Sequence, residues 1–584
     1  MKFVKFSLLL ALLTALASIG YKLVLDYEHI PNLAAIESVR NKYFDYVIVG
    51  SGTSGSVIAY ELSKKSNCSV LLIESGGLFN GLSIVPIMST LMQGTEMDWK
   101  IKSTPQLFSS RGLRDNQQNL PRGRGLGGSN QLNYLLHFNG IKEDFDEWRK
   151  MGAVSEKWNY ENIKCHLKRH DSDEKACSYN EDIPKLSLTT LNYNDSPLAA
   201  AFVKAEAELR NSFNSNVTLK LSQFTTKRGI RHTVFHEYLR RTYKHKNLSI
   251  LVHATVEKIL FNERKEARAV VVATQSQVTE IRVRKMVILA AGAYHSPFIL
   301  KRSGIGNKSE LKQAGIDLVH HLPAVGENLH DHMNFPLFVS INERASVTKD
   351  KILSVSEIYR FLFYGSGVLA TTAVIGSGRL NNYGLILFGM GSADEQALKD
   401  VANFKTEAFQ AFFPLFANSS QEGFVALSTC YKPKSRGNIK LKSSGIDFLI
   451  DPKYLQHDDD MECMRNAIHL NRKMIQSKAF KAIGAHIHWP KIRECQNFGP
   501  FDDDEVDYMP SDRYLDCLLR HAALTAHHPG GTCSIGSVVN DDLSVIGVKN
   551  LRVIDGSVLP SPVSGFPNSI IIALTEYAIK NILN

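Results

Sequence analysis

Two short stretches carry residues whose types and order can do redox chemistry. In the first, Gly50-Ser51-Gly52-Thr53-Ser54-Gly55 follows an apolar run of strand length at 44–49. A helical pattern comes next at 57–62, then a second apolar run at 68–73 that ends in Glu74. Strand, G-x-G-x-x-G, helix, strand and acid, in that order, make a dinucleotide site. Gly50 permits the tight turn, Gly52 lets a pyrophosphate approach the backbone, and Gly55 lets helix and strand pack closely. The helix N-terminus presents unpaired N–H groups to phosphates, and Glu74, about 20 residues on, accepts hydrogen bonds from ribose hydroxyls. In the second stretch His528 stands directly before Pro529-Gly530-Gly531, a loop that resists helix formation and exposes a side chain. Oxidising an alcohol removes a hydride and a hydroxyl proton, and histidine suits the proton because its ordinary pKa lies near neutrality. The chain has 20 histidines, so position rather than residue type singles out His528.

The first stretch serves NAD or FAD equally. Two features favour FAD. Glu74 runs straight into Ser75-Gly76-Gly77, which opens a loop after the ribose position, and a late strand at 550–554 ends in Asp555-Gly556, able to meet a ribityl chain or pyrophosphate. These motifs join Pro121-Arg122-Gly123-Arg124-Gly125-Leu126-Gly127-Gly128-Ser129, Gly292-Ala293-Tyr294-His295-Ser296-Pro297 and Thr525-Ala526-His527-His528-Pro529-Gly530. In this order the set resembles the signatures of the glucose–methanol–choline (GMC) oxidoreductase family along essentially the whole chain after its leader. The Asp98-Trp99 and Thr104-Pro105-Gln106 segments make it similar to the insect FAD glucose dehydrogenase-like branch.

The resemblance implies an α/β fold: a Rossmann-like FAD-binding domain interwoven with an α+β substrate-binding domain. FAD-binding segments fall at 42–137, 225–333 and 521–584, and substrate-domain segments at 138–224 and 334–520. It implies that Gly50, Gly52 and Gly55 hold pyrophosphate, Glu74 the adenosine ribose, and Arg122, Gly127, Gly128 and Asn133 the flavin. Val256 would sit near the adenine, with plain sheet core as its other reading, and Asp555 near the middle of FAD. His528 takes the place of the catalytic base. Asn568 takes that of the group that bonds the substrate oxygen and steadies the developing alkoxide. Leu132 stands where some members carry the histidine that anchors flavin covalently, so dissociable FAD is expected. Four positions depart from the pattern: Phe566, Ile570, Gly530 and Asn130. The first two flank Asn568 and put pocket shape and substrate in question.

The expected activity is oxidation of the CH–OH group of a small-molecule alcohol, with hydride passing to the flavin and on to a quinone-like acceptor or oxygen. Sugar, sterol, retinoid and simple alcohol all remain open as substrates. The rival reading is a catalytically silent secreted binding glycoprotein that keeps the flavoprotein fold. An NAD-dependent enzyme is the third, and it leaves the Asp555 segment without a task.

Composition sets the outer limits. Of 584 residues, 44% are hydrophobic and 22% charged, which excludes wholesale disorder, a collagen-like fibre and a multi-span membrane protein. The 68 Lys and Arg against 58 Asp and Glu give +10, but the cations are interleaved with acids. The densest basic stretch, Arg240 to Lys246, reads as a solvated face, and no nucleic-acid motif accompanies it. Lys2, Lys5, an apolar run at 6–19 and Ala15-Leu16-Ala17 describe a signal peptide at 1–17. Because apolar character resumes at 23–25, an uncleaved anchor is the alternative, and a membrane partner is expected only in that case. Sequons at Asn67, Asn194, Asn216, Asn247, Asn307 and Asn418 agree with a secreted or ER-lumenal chain. No metal site is expected. The eight cysteines are sparse; one or two bridges are open to them, with Cys165 and Cys177 the nearest pair, and buried free thiols are expected for the rest.

Overall fold

The computed structural model describes residues 20, 32–169, 184–191, 196–213, 217–498 and 510–582. The leader, Cys177, Asn194 and Asn216 therefore lie outside the described residues.

Two seven-stranded sheets organise the chain. The first runs in the order Leu248–Leu251, Val70–Ile73, Tyr43–Val49, Val278–Leu289, Ala267–Ala273, Thr255–Phe261, with Leu551–Val553 added beside Val278–Leu289. Its central strands are parallel: Val47 pairs with Leu71 and Val287, and Val287 with Leu551. Val47, Ile48, Leu71 and Ile288 are fully buried, as strands covered on both faces must be. The apolar runs at 44–49 and 68–73 are thus continuous rather than alternating because neither face meets water.

After the first strand the chain turns at Gly50, whose φ of +95° suits glycine. A Cβ at Gly55 would fall 1.8 Å from the Gly50 carbonyl oxygen, so the helix Thr53–Ser63 seats on the strand only because Gly55 is bare. The last helix, Asn568–Ile582, lies on Thr53–Ser63, and Thr575 Oγ1 meets Ser54 Oγ at 2.9 Å. This packing brings Asn568 to the first turn of the nucleotide-binding helix, some five hundred residues earlier in sequence.

The second sheet is antiparallel throughout, in the order His486–His488, Met333–Ser340, Gly423–Cys430, Tyr383–Phe388, Val374–Leu380, Thr218–Leu221, with Leu524–Thr525 added beside Met333–Ser340. The helix Asp458–Ile475 packs on it over a separate apolar core that includes Phe335, Leu337, Phe424, Met464 and Ile468. Phe412 and Phe416 belong to that core, while Phe363 is exposed.

The cysteines correct the sequence reading in part, since four expected as free thiols are bonded. Cys430 is bonded to Cys463, tying a strand to the helix that covers it, and Cys495 is bonded to Cys517. The pairs are 33 and 22 residues apart and are brought together by sheet-on-helix and helix-on-turn packing, which spacing alone does not reveal. Cys165 is also disulfide-bonded, while Cys68 and Cys533 are buried free thiols as expected. The two described bridges point to an oxidising extracellular or secretory compartment. Among the described residues no helix is long and apolar enough to cross a membrane.

Candidate active site

A cleft of about 810 Å³ opens along the carboxyl ends of the parallel strands. Gly50, Gly52, Glu74, Arg122, Gly128, Val256 and Asp555 line it, seven of the ten expected cofactor residues. The other three shape its walls from behind. Gly55 packs on Gly50, Gly127 N–H donates to the Ser51 carbonyl at 3.0 Å, and Asn133 Oδ1 accepts from Arg231 Nη1 at 3.0 Å.

The donor set suits a dinucleotide. A Cβ built on Gly292, at the start of the helix Gly292–Arg302, meets nothing within 4 Å, so that helix N-terminus faces open cleft. Asp555 Oδ2 accepts from Gly292 N at 2.8 Å and from Ser296 Oγ at 2.5 Å, which fixes the turn that frames it. Glu74 Oε2 accepts from Ser51 N at 3.0 Å and Ser51 Oγ at 2.8 Å. Its Oε1 accepts from Gly76 N at 3.0 Å and keeps a lone pair for a ribose hydroxyl. Burial raises the Glu74 pKa, with those donors working against the shift. Arg122 Nε is buried without a partner beside this cleft, the kind of orphaned donor a bound phosphate or flavin satisfies.

Sequence reasoning missed one wall. The Trp99 and His295 rings lie 4.2 Å apart, and Phe448 is 5.4 Å beyond His295. All three border the cleft, and burial takes the His295 pKa down to about 4, so a neutral aromatic platform faces the dinucleotide. In sequence Trp99 reads only as a branch marker, and nothing local ties it to residues 196 and 349 positions later.

His528 is held from three sides. Thr525 pairs with Met333 and Leu524 with Asn334, and the two chains stay together beyond the sheet, where Gly530 and His330 exchange backbone hydrogen bonds of 2.9 and 3.1 Å. That register carries Asp331 and His332 alongside His528. Asp331 Oδ1 accepts from the His528 backbone N–H at 2.7 Å, while Oδ2 accepts from Thr525 Oγ1 and Tyr454 OH at 2.6 Å each. Arg122 Nη2 donates to the His527 carbonyl at 2.7 Å. His527 itself takes φ +64°, an uncommon turn for a residue with a Cβ, and these bonds hold it there. Gly530, one of the four departures, makes room for His330: a Cβ there would lie 2.6 Å from His330 Nε2.

The contact of His332 with the Tyr431 carbonyl favours one tautomer of the His332–His528 pair. His332 Nε2 lies 3.0 Å from the Tyr431 carbonyl oxygen, which can only accept, so Nε2 carries the proton. Burial brings the His332 pKa to about 4, so the ring is neutral near pH 7 and its Nδ1 is a bare lone pair. The 3.0 Å contact between His332 Nδ1 and His528 Nδ1 is then a bond donated by His528. The remaining His528 nitrogen, Nε2, bears a lone pair. Burial first, then His332, His527 and Arg122, hold the His528 pKa well below its ordinary value. The signal for this partner was present in sequence as the cluster His330-Asp331-His332, which belongs to none of the motifs.

Asn568 is oriented by a hydrogen-bond chain. Asn130 Nδ2 donates to Thr53 Oγ1, and Thr53 Oγ1 donates to Asn568 Oδ1 at 3.2 Å. With its carbonyl oxygen engaged, Asn568 presents Nδ2–H groups as free donors. The departure at Asn130 therefore supplies the far end of this chain. Phe566 is the departure that borders the reacting space, its ring 5.8 Å from that of His528. Ile570 is fully buried in the core and touches Gly140, away from that space. Leu132 is buried with Phe79, Met92 and Met97 and offers no nucleophile.

Family models described as GMC oxidoreductase match residues 44–334 and 433–575. The chain is 40% identical to Neither inactivation nor afterpotential protein G of Drosophila melanogaster, over 100% of this chain and 98% of that protein. It is 28% identical to glucose dehydrogenase (FAD, quinone) of Drosophila melanogaster, over 91% of this chain and 85% of the relative. Among solved structures, pyridoxine 4-oxidase from Mesorbium loti shares the fold at a TM-score of 0.73 and 22% identity, covering 93% of this chain and 99% of that one.

Proposed function

Since the chain belongs to the GMC oxidoreductase family, with FAD as cofactor, we propose that it oxidises the CH–OH group of an apolar alcohol, with His528 as general base and Asn568 holding the substrate oxygen. The observation that carries this reading is the bond from His528 Nδ1 to His332 Nδ1, which leaves a lone pair on Nε2 of the residue directly before Pro529, itself part of the cleft wall. FAD bound in the cleft supplies the hydride acceptor.

The chain's own groups do the rest. His528 Nε2 takes the hydroxyl proton, and the imidazolium that forms keeps donating through Nδ1 to neutral His332. Asn568 Nδ2 donates to the oxygen as charge builds on it, steadied through Thr53 and Asn130. Arg122 adds a fixed positive charge at the cleft wall. Gly50, Gly52, Glu74, Gly128, Val256 and Asp555 serve the cofactor directly, with Gly55, Gly127 and Asn133 shaping the loops behind it. Leu132, enclosed by apolar side chains, supports non-covalent FAD. An apolar alcohol, of sterol or retinoid type rather than a sugar, is favoured because Phe566 flanks His528 and adjoins the apolar cluster of Leu135, Phe224, Val374 and Ile386. The acceptor is quinone-like or oxygen, and the setting is the secretory pathway.

The test offers sterols, retinoids, sugars and simple alcohols anaerobically to the purified chain while the oxidised flavin absorbance is followed. Bleaching by an apolar class is expected, and admitting oxygen then separates an oxidase from a dehydrogenase. A flavin-loaded protein that no alcohol bleaches would contradict the reading.

A further inference from the structure

The helix Val355–Tyr364 is built inside out. Val355, Ile358, Tyr359, Leu362 and Phe363 recur at helical spacing and form one apolar stripe. In a globular protein such a stripe faces the core. Here all five are exposed, Val355 at 82% and Phe363 at 47%, and Leu353 just before the helix is exposed at 70%. The acid on the helix faces the other way. Glu357 accepts from the Val368 backbone N–H at 2.7 Å and from Arg360 Nη1 at 2.9 Å. Both ends are capped, by Ser354 Oγ on the Glu357 N–H and by Gly365 in the left-handed region, so the helix is formed with its apolar side uncovered by the described residues. Contiguous exposed apolar surface of this kind marks a partner.

Charge and residue type point to the partner. Lys227 and Arg228 are exposed, and the Arg228 carbonyl lies 2.2 Å from where a Cβ on Gly365 would stand, so this basic turn abuts the end of the helix. Neither cation has an ion pair among the described residues. Arg360, on the helix itself, pairs with Glu357, and Lys349, in the short helix Lys349–Ile352 before it, lies 3.7 Å from Asp394, so the unpaired charge of the border is that of Lys227 and Arg228. Two exposed tyrosines, Tyr359 and Tyr364, sit among the apolar residues. An apolar stripe with tyrosines and a cationic border is the make-up of a helix that lies in a lipid interface. The chain's net charge of +10 adds attraction to anionic headgroups.

The inner side of the helix leads to the active site. Phe361 packs against a buried cluster that contains Ile87, Leu369 and Met390. Phe388 adjoins that cluster and also the cluster of Leu135 and Ile386, which Phe566 adjoins in turn. Phe566 borders His528, so apolar side chains run without a break from the exposed helix to the base.

We propose that the stripe of Val355–Tyr364 seats the protein on an anionic lipid bilayer, and that an apolar alcohol dissolved there reaches His528 along Phe361, Phe388 and Phe566. The delivery step rests on the proposed function; the docking step does not.

The test floats the flavin-loaded full chain with vesicles of phosphatidylcholine, alone or mixed with phosphatidylserine. The wild type is expected to float with the mixed vesicles. The double substitution Leu362→Glu and Phe363→Glu should lower the bound fraction at least about tenfold, in line with losing burial of two large apolar side chains. It should leave flavin absorbance and bleaching by a water-soluble alcohol unchanged. Leu362→Cys, labelled with a polarity-sensitive fluorophore, should shift to the blue on the same vesicles, which localises the contact even if the leader also binds lipid. Equal flotation of wild type and double variant, or no shift of the label, overturns the docking. A dimer that the double variant loses, in a wild type that does not float, overturns the lipid partner in favour of a second copy. Docking without faster bleaching by a bilayer-dissolved alcohol overturns the delivery step alone. Failure of every alcohol, dissolved or in vesicles, would instead strike the proposed function.

Discussion

The cofactor cleft and the reacting space in front of His528 are walled by different materials. Around the cleft, Gly50, Gly52, Gly128, Ala291 and Gly292 present backbone, and acids such as Glu74 and Asp555 brace the turns. Around His528 the boundaries are side chains: Phe566 and the His332 ring. A Cβ added at Gly50 or Gly128 would strike neighbouring backbone, and one added at Gly52 or Gly292 would project into space the cofactor needs, while the backbone groups stay the same whatever the neighbouring sequence. A side-chain wall can be repacked at modest cost. The first therefore suits a cofactor that stays the same, and the second a substrate that changes from one relative to another.

Substitutions should separate the two materials sharply. The largest effect is expected from Gly55→Val, whose Cβ would strike the Gly50 carbonyl. It should cost more than ~4 kcal/mol and yield no stable flavin-bearing chain, read by thermal melting and flavin absorbance. A normal yellow protein would refute the close-packing argument. His528→Ala should keep flavin content but slow anaerobic flavin reduction by about 10² or more. Thr53→Val removes the hydroxyl that orients Asn568 and should slow the same step by roughly tenfold, the worth of one charge-assisted hydrogen bond, with little loss of stability. An unchanged rate would detach Asn568 from that chain. Phe566→Ala should be mildest. Reduction by apolar alcohols should fall a few-fold relative to small polar ones, while the melting temperature stays nearly constant because Phe566 is only half-buried.

The same contrast explains what the sequence disclosed. Gly50, Gly52, Gly55 and Glu74 were legible because a phosphate site needs fixed backbone at fixed spacing within one strand–helix–strand unit. The continuous apolar runs announced covered parallel strands for the same local reason. His528 and Asn568 were legible through flanking motifs, but their partners were not. His332 reaches His528 by cross-strand register between 333–334 and 524–525, and Thr53 reaches Asn568 because the last helix lies on the first. The Cys430–Cys463 bridge depended in the same way on a helix packing over a sheet. The exposed stripe at 355–363 reads in sequence as an ordinary amphipathic helix, since spacing shows that a stripe exists and not which way it faces.

The central claim is that His528 meets the alcohol as a neutral base. A histidine with its ordinary pKa near 6.5 would lose half its base form there. With its pKa held well below that value, His528 keeps its lone pair as pH falls through 6.5. The most direct measurement is the pH dependence of anaerobic flavin reduction at limiting substrate, from pH 8 downward, on the wild-type chain. The account predicts a rate that stays level through pH 6.5 and falls only at lower pH. A fall centred near 6.5, where an unperturbed histidine titrates, would contradict it.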